Sequence, residues 1–215
     1  MEYPDLLIGR YPALAPIRGD IEAGFRLLAD AYRAGGKLLV AGNGGSCADA
    51  DHIVGELMKG FVLPRPVAPD FAARLRALDP ALGDVLACRL QEGLPAVALT
   101  QHPALTTAYM NDTEGGATLV FAQQAYVLGR AGDVLLAIST SGNSENVLAA
   151  ALVARARGMR VLALVGQGGG KLAGMADVAI RVPADETYKI QEYHLPVYHT
   201  LCLMLEKEFF GGTTI

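Results

Sequence analysis

The stretch Val134-Leu135-Leu136-Ala137-Ile138-Ser139-Thr140-Ser141-Gly142-Asn143-Ser144-Glu145-Asn146-Val147 decides the fold. It opens as an apolar run closed by Ser139, the pattern of a strand covered on both faces of a parallel sheet. A Gly-Asn turn follows, and from Ser144 apolar residues recur at helical spacing, which predicts a helix over Ser144–Arg157. A strand that passes straight into a helix is half of a βαβ unit.

The same rhythm extends in both directions. Strands are expected at Lys37–Ala41, Ala96–Thr100, Arg160–Val165 and Val178–Val182, and helices at Ile21–Ala34, Cys47–Lys59, Gly116–Leu128 and Tyr188–Phe210. The fold class is α/β: a doubly wound, mainly parallel five-stranded sheet with helices on both faces, formed as one domain over residues 1–215. Gly60–Gly93 breaks the rhythm. It carries Pro64, Pro66, Pro69 and Pro80 and reads as an inserted proline-rich loop with one or two short helices, a lid or subunit contact.

Composition narrows the partners. A net charge of −4 supplies no basic field for a nucleic acid, so any phosphate must be held locally. No run approaches the ~18 apolar residues of a membrane span, and Met1–Tyr11 lacks the basic-then-apolar pattern of an export signal. The three cysteines, Cys47, Cys88 and Cys202, are widely spaced and odd in number, which suits free, buried thiols in a reducing compartment; a cytoplasmic protein is expected.

In open α/β sheets ligands bind beyond the carboxyl ends of the strands, so the strand-to-helix turns carry the chemistry. Ser139, Thr140, Ser141 and Ser144 place hydroxyls and free backbone N–H groups at the positive end of a helix, an anion site; the alternative is a turn that merely caps its helix. Asn43-Gly44-Gly45-Ser46 follows an earlier strand, with glycines that let a ligand approach the backbone. It lacks the full spacing of a dinucleotide fingerprint. A third turn, Gly166–Gly170, reads equally as a structural loop.

Asp49, His52 and Glu56 fall at i, i+3 and i+7 and share one helix face; Gln191 and His199, eight apart, share nearly one face of the terminal helix. Imidazole, carboxylate and amide oxygen are donors for a divalent transition metal, although a lone histidine is as well read as a hydrogen-bonding partner.

Taken in order, Gly42–Ser46 with Asp49, His52 and Glu56, then Ser139–Ser144 with Asn146 and Val147, then Ile190-Gln191-Glu192, His194 and His199, the chain resembles the bacterial phosphoheptose isomerases over about Ile21 to Phe210. The serine turn alone is shared by sugar isomerase (SIS) domains generally. The resemblance implies an isomerase that converts sedoheptulose 7-phosphate to glycero-manno-heptose 7-phosphate. It also implies a homotetramer with active sites at subunit interfaces, for which the helix from Ile21, with Ile21, Phe25, Leu28 and Ala29 on one apolar face, is an expected subunit contact, and one zinc per subunit on His52, Glu56, Gln191 and His199. Glu56 and His199 are then the acid/base pair, and Ser139, Thr140, Ser141 and Ser144 take the phosphate. Asn43, Gly44, Gly45, Ser46 and Gln191 join them at the substrate, as do Asn111 and Asp112. Two departures mark the chain: about twenty extra residues within Gly60–Gly93, and Pro196 inside the terminal helix. The competing readings are an isomerase of another phosphosugar and a non-catalytic sugar-phosphate sensor.

Overall fold

The structure is a computed structural model that describes residues 2–212. After a first helix, α1 (Tyr3–Arg10), and a 3-10 turn over Pro12–Ile17, the chain runs α2 (Arg18–Arg33), β1 (Leu38–Ala41), α3 (Gly45–Met58), α4 (Pro69–Leu78), α5 (Pro80–Arg89) and β2 (Ala96–Ala98). It continues through α6 (Pro103–Asp112), α7 (Gly116–Leu128), β3 (Val134–Ser139), α8 (Glu145–Ala156), β4 (Arg160–Val165), α9 (Gly170–Met175), β5 (Val178–Arg181) and α10 (Thr187–Phe210). All five expected strands form, in the order β2-β1-β3-β4-β5, and every pairing is parallel.

Side chains alternate across the sheet, which splits the core in two. Leu38, Val40, Leu136, Ile138, Leu162 and Leu164 pack under α2, α3 and α10, whereas Leu39, Leu135, Ala137, Val161 and Ala163 face α7 and α8. The strand order reverses direction between β1 and β3, and the crevice at that switch point lies beyond their carboxyl ends. The turns Gly42–Ser46 and Thr140–Ser144 therefore stand side by side.

Three helices escaped the sequence pattern: α1, α6 and α9; α4 and α5 are the short helices expected within Gly60–Gly93, and all of these except α9 have proline in the first turn. The apolar face of α2 was expected to pack against other subunits. Ile21, Leu28 and Ala29 are instead buried in the chain's own core, with Phe25 packed at its edge. Cys202 is buried as expected, but Cys47 is only half-buried and Cys88 is exposed on α5, contrary to the expectation of buried thiols. Pro196 does not end α10, which runs unbroken around it, with the Thr200 hydroxyl donating to the Pro196 carbonyl at 2.8 Å.

The segment after α3 is tied down by one buried carboxylate. Glu206 on α10 accepts the backbone N–H groups of Phe61, Val62 and Leu63 and the Arg65 guanidinium, and both charged side chains are fully buried. Arg65 in turn donates to the Leu57 carbonyl at 2.8 Å and stacks over the Phe210 ring. With every partner supplied, the pair is a stable anchor; removal of either member leaves a buried charge, at a cost of about 3–5 kcal/mol. Its consequence is positional, because it clamps the carboxyl end of α3, where Glu56 sits, against α10.

Candidate active site

The switch-point crevice is a cleft of about 320 Å³ lined by Asn43, Gly44, Gly45, Ser46, Ile138, Ser139, Thr140, Ser144, Thr187 and Gln191. Its floor is polar. The Ser139 and Ser144 hydroxyls face each other at 3.0 Å, and Ser144, although it is the N-cap of α8, makes no side-chain capping bond. That disposes of the capping reading: the hydroxyl is turned toward the cleft instead of back onto its helix. The N–H groups of Val147 and Leu148 donate back to the Ser144 carbonyl at 3.1 and 2.9 Å, which leaves those of Glu145 and Asn146 at the open end of α8.

The turns are locked together. Asn43 and Asn146 exchange two amide hydrogen bonds, at 2.8 and 2.9 Å, across the crevice. Gly142 has φ +64°, and a Cβ there would stand 2.1 Å from the Gly169 carbonyl oxygen, so the third glycine turn is a support for the anion turn. A Cβ at Gly45 would meet Gln191 Nε2 at 2.5 Å; glycine is what allows α10 to lay Gln191 into the cleft.

Two turns along α10, His199 meets α3. His52 Nε2 lies 3.4 Å from Glu56 Oε1 and 3.5 Å from His199 Nε2. The three side chains that the resemblance groups are thus neighbours. Burial, reinforced by the adjacent His52, lowers the His199 pKa, with Glu56 opposing, so its imidazole is neutral near pH 7. Burial raises the Asp49 pKa, partly offset by a hydrogen bond from Tyr198. His194, wholly buried one turn before His199, has neither ring nitrogen in a well-formed hydrogen bond; burial brings its pKa down to about 4, outweighing the nearby Val165 carbonyl.

The donor set suits zinc in kind: two imidazoles and a carboxylate whose second oxygen, Glu56 Oε2, is buried without a hydrogen-bond partner. Tetrahedral donors at zinc distance stand about 3.3–3.4 Å apart, close to both spacings around His52. Among the described residues, however, no three His, Cys, Asp or Glu side chains close around one point as a formed metal cage.

Three sequence-derived residues lie elsewhere. Asn111 and Asp112, at the exposed end of α6, bond to each other at 2.9 Å and do not line the cleft. Ser141 faces the small neighbouring hollow beside Gly166–Gly169, where its hydroxyl accepts the Asn143 N–H. Conversely, Thr187, Asn146 and Tyr198 belong to the site and were not assigned to it by sequence. Asn146 stood within the serine-rich block and could have been found; Thr187 and Tyr198 carry no spacing signal.

The class is that of the sugar isomerase domains: the SIS domain family matches residues 83–166, which contain β3 and the hydroxyl-lined turn at the switch point. The similarity extends across the chain. It is 38% identical over 202 residues to the phosphoheptose isomerase of Akkermansia muciniphila, covering 94% of this chain and 92% of that one. The phosphoheptose isomerase structure from Neisseria gonorrhoeae superposes with a TM-score of 0.72 at 35% identity, covering 92% of this chain and 91% of that one. The one from Francisella tularensis gives 0.75 at 32% identity with the same coverage. The chain belongs to the phosphoheptose isomerase family.

Proposed function

We propose that this chain is an aldose-ketose isomerase that converts sedoheptulose 7-phosphate to glycero-manno-heptose 7-phosphate through an enediolate. The observation that carries the reading is the joint presentation by α10 of Gln191 in the anion cleft and, two turns away, of His199 against His52, which itself lies 3.4 Å from Glu56. A phosphate in the cleft at one end of an extended sugar leaves the carbonyl end to reach toward the acid/base pair.

In this reading Ser139, Thr140, Ser144 and the N–H groups of Glu145 and Asn146 at the open end of α8 hold the phosphate, and that remote binding is spent on orientation. Glu56 moves the carbon-bound proton between C1 and C2. His199, neutral at pH 7, exchanges a proton with the substrate oxygens, and ring opening draws on the same group. His52, Glu56, Gln191 and His199 would hold one zinc per subunit, which when bound would polarise the carbonyl and offset enediolate charge. Asn111 and Asp112 reach substrate only if α6 turns inward or serves a neighbouring subunit's site.

The working unit is a homotetramer in the cytoplasm, with active sites at subunit interfaces. An apolar hollow of about 610 Å³ beside His199, lined by Tyr3, Leu7, Tyr11, Phe61 and Leu195 among others, supports a neighbouring subunit closing the site there. No helix of the described residues is long and apolar enough to cross a membrane.

The test is turnover followed by NMR on a panel of phosphosugars with zinc supplied. Conversion of the seven-carbon ketose phosphate in preference to five- and six-carbon ones is expected. Conversion of a shorter sugar instead would reassign the substrate, and binding without conversion of any would make the chain a sensor.

A further inference from the structure

Between α3 and α10 lies a hydrogen-bonded chain that the proton-transfer scheme does not use. Tyr198, 1% exposed, sits next to His199 in sequence but points its hydroxyl toward α3. There it donates to Asp49 Oδ1 at 3.2 Å and lies 3.0 Å from His52 Nδ1. The rings of Tyr198 and His52 meet edge to face at 5.5 Å, so packing and hydrogen bonding fix the same orientation.

A phenol has one proton to give. Asp49 is an acceptor on this face, and its other oxygen, Oδ2, is buried with no partner, so the Tyr198 proton is committed to the carboxylate. The phenolic oxygen is then left to accept, and the group that can donate to it is His52 Nδ1–H. A neutral imidazole protonated at Nδ1 is bare at Nε2. That bare nitrogen is the atom placed 3.4 Å from Glu56 Oε1 and 3.5 Å from His199 Nε2.

We propose that Tyr198, backed by Asp49, is a positioning residue that holds His52 in the Nδ1–H tautomer and aims its Nε2 lone pair into the site. The proposal rests on the reading of His52 as a site residue, and deepens it. With the lone pairs of His52 and the Glu56 carboxylate turned toward each other, the space between them calls for a cation or a proton. Outer partners of this kind fix a ligand's tautomer and ring angle, and their loss typically costs about 10- to 100-fold in metal affinity.

The experiment reads the tautomer directly, on metal-free protein without substrate, so it stands whether or not turnover is found. The chain has four histidines, so protein labelled with nitrogen-15 in histidine alone gives few ring signals, and His52→Asn assigns the one required. At about pH 8, above the ordinary imidazole range, native His52 is expected to show a protonated Nδ1 and a bare Nε2. Tyr198→Phe keeps the ring and its packing but removes the hydroxyl. It is expected to abolish that preference and to weaken zinc binding, measured by competition with a chelator, about 10-fold. Asp49→Asn removes the negative acceptor, frees the phenol proton for Nδ1, and is expected to push His52 toward the Nε2–H form even if Tyr198→Phe folds poorly. A native His52 protonated at Nε2, or ring signals unchanged in both variants, would overturn the proposal.

Discussion

The serine-rich turn and the α3–α10 corner are bridged by α10, which presents Gln191 to one and His199 to the other, yet they are built in opposite ways. Ser139 to Ser144 is one short segment whose hydroxyls, backbone N–H groups and helix end come together wherever a strand meets a helix. The corner is assembled over long range: Asp49 and Tyr198, 149 positions apart, meet only because the Glu206–Arg65 anchor and the sheet core press α10 onto α3. Local construction gives a binding site that survives changes elsewhere. Long-range construction gives groups whose protonation and spacing depend on the whole fold, which is what acid/base work needs.

The largest effect should come from the corner. Glu56→Gln retains shape and removes the base, so kcat is expected to drop about 1,000-fold with KM within about threefold. Solvent deuterium incorporation at the carbon beside the carbonyl should be lost with it. Equal losses in binding and turnover would show that Glu56 anchors the substrate and does not move its proton, and the contrast between the two regions would fail.

Helix α10 should also make stability depend on pH, where it packs on the sheet. The His194 pKa lies below the ordinary imidazole value in the folded protein, so between about pH 6.5 and pH 4 the unfolded chain binds the extra proton. Its contribution is present above that window and is lost as pH falls through it, a decrease of roughly 3 kcal/mol at most. Denaturant titrations should show this slope in the native protein and a flatter one in His194→Leu. Identical slopes would place the acid sensitivity elsewhere.

The same division explains what could be read from sequence. The βα rhythm, all five strands and the hydroxyl-rich turn from β3 into α8 were legible because each depends on residues close in the chain. His52, Glu56 and His199 could be matched to one another only as helix faces and by resemblance, and the structure does bring them together. The face of α2 was misjudged because periodicity shows that a helix buries one side but not against what. Asn111 and Asp112 followed from resemblance alone, and the fold of a single chain leaves them outside the cleft. Tyr198 was invisible, since its role consists of a hydroxyl reaching another helix.

On the anion side, effects should be smaller and should fall on binding. Ser144→Ala deletes a hydroxyl that faces the cleft and Ser139, and one hydrogen bond to a charged group contributes about 1.5–3 kcal/mol. KM for the phosphosugar is expected to rise about 10-fold or more with kcat nearly unchanged, and inorganic phosphate should compete less well. A fall in kcat alone would mean that the turn takes part in the chemical step.

The smallest effect concerns the paired amides that join the two turns. Asn43 lines the cleft and could touch ligand itself, so the single replacement Asn43→Ala cannot separate contact from bracing; Asn146 does not line it and acts only through its partner. The pair is exposed and uncharged, which puts its net contribution at the low end of the hydrogen-bond range, about 0.5–1 kcal/mol. Asn146→Ala should therefore raise KM about threefold while leaving the melting temperature nearly unchanged. If the amides act as a brace, the double variant should be little worse than Asn43→Ala alone, because the second truncation removes a bond already broken. Strictly additive losses would show that Asn146 does not work through Asn43, and the cleft width would then be set by the sheet alone.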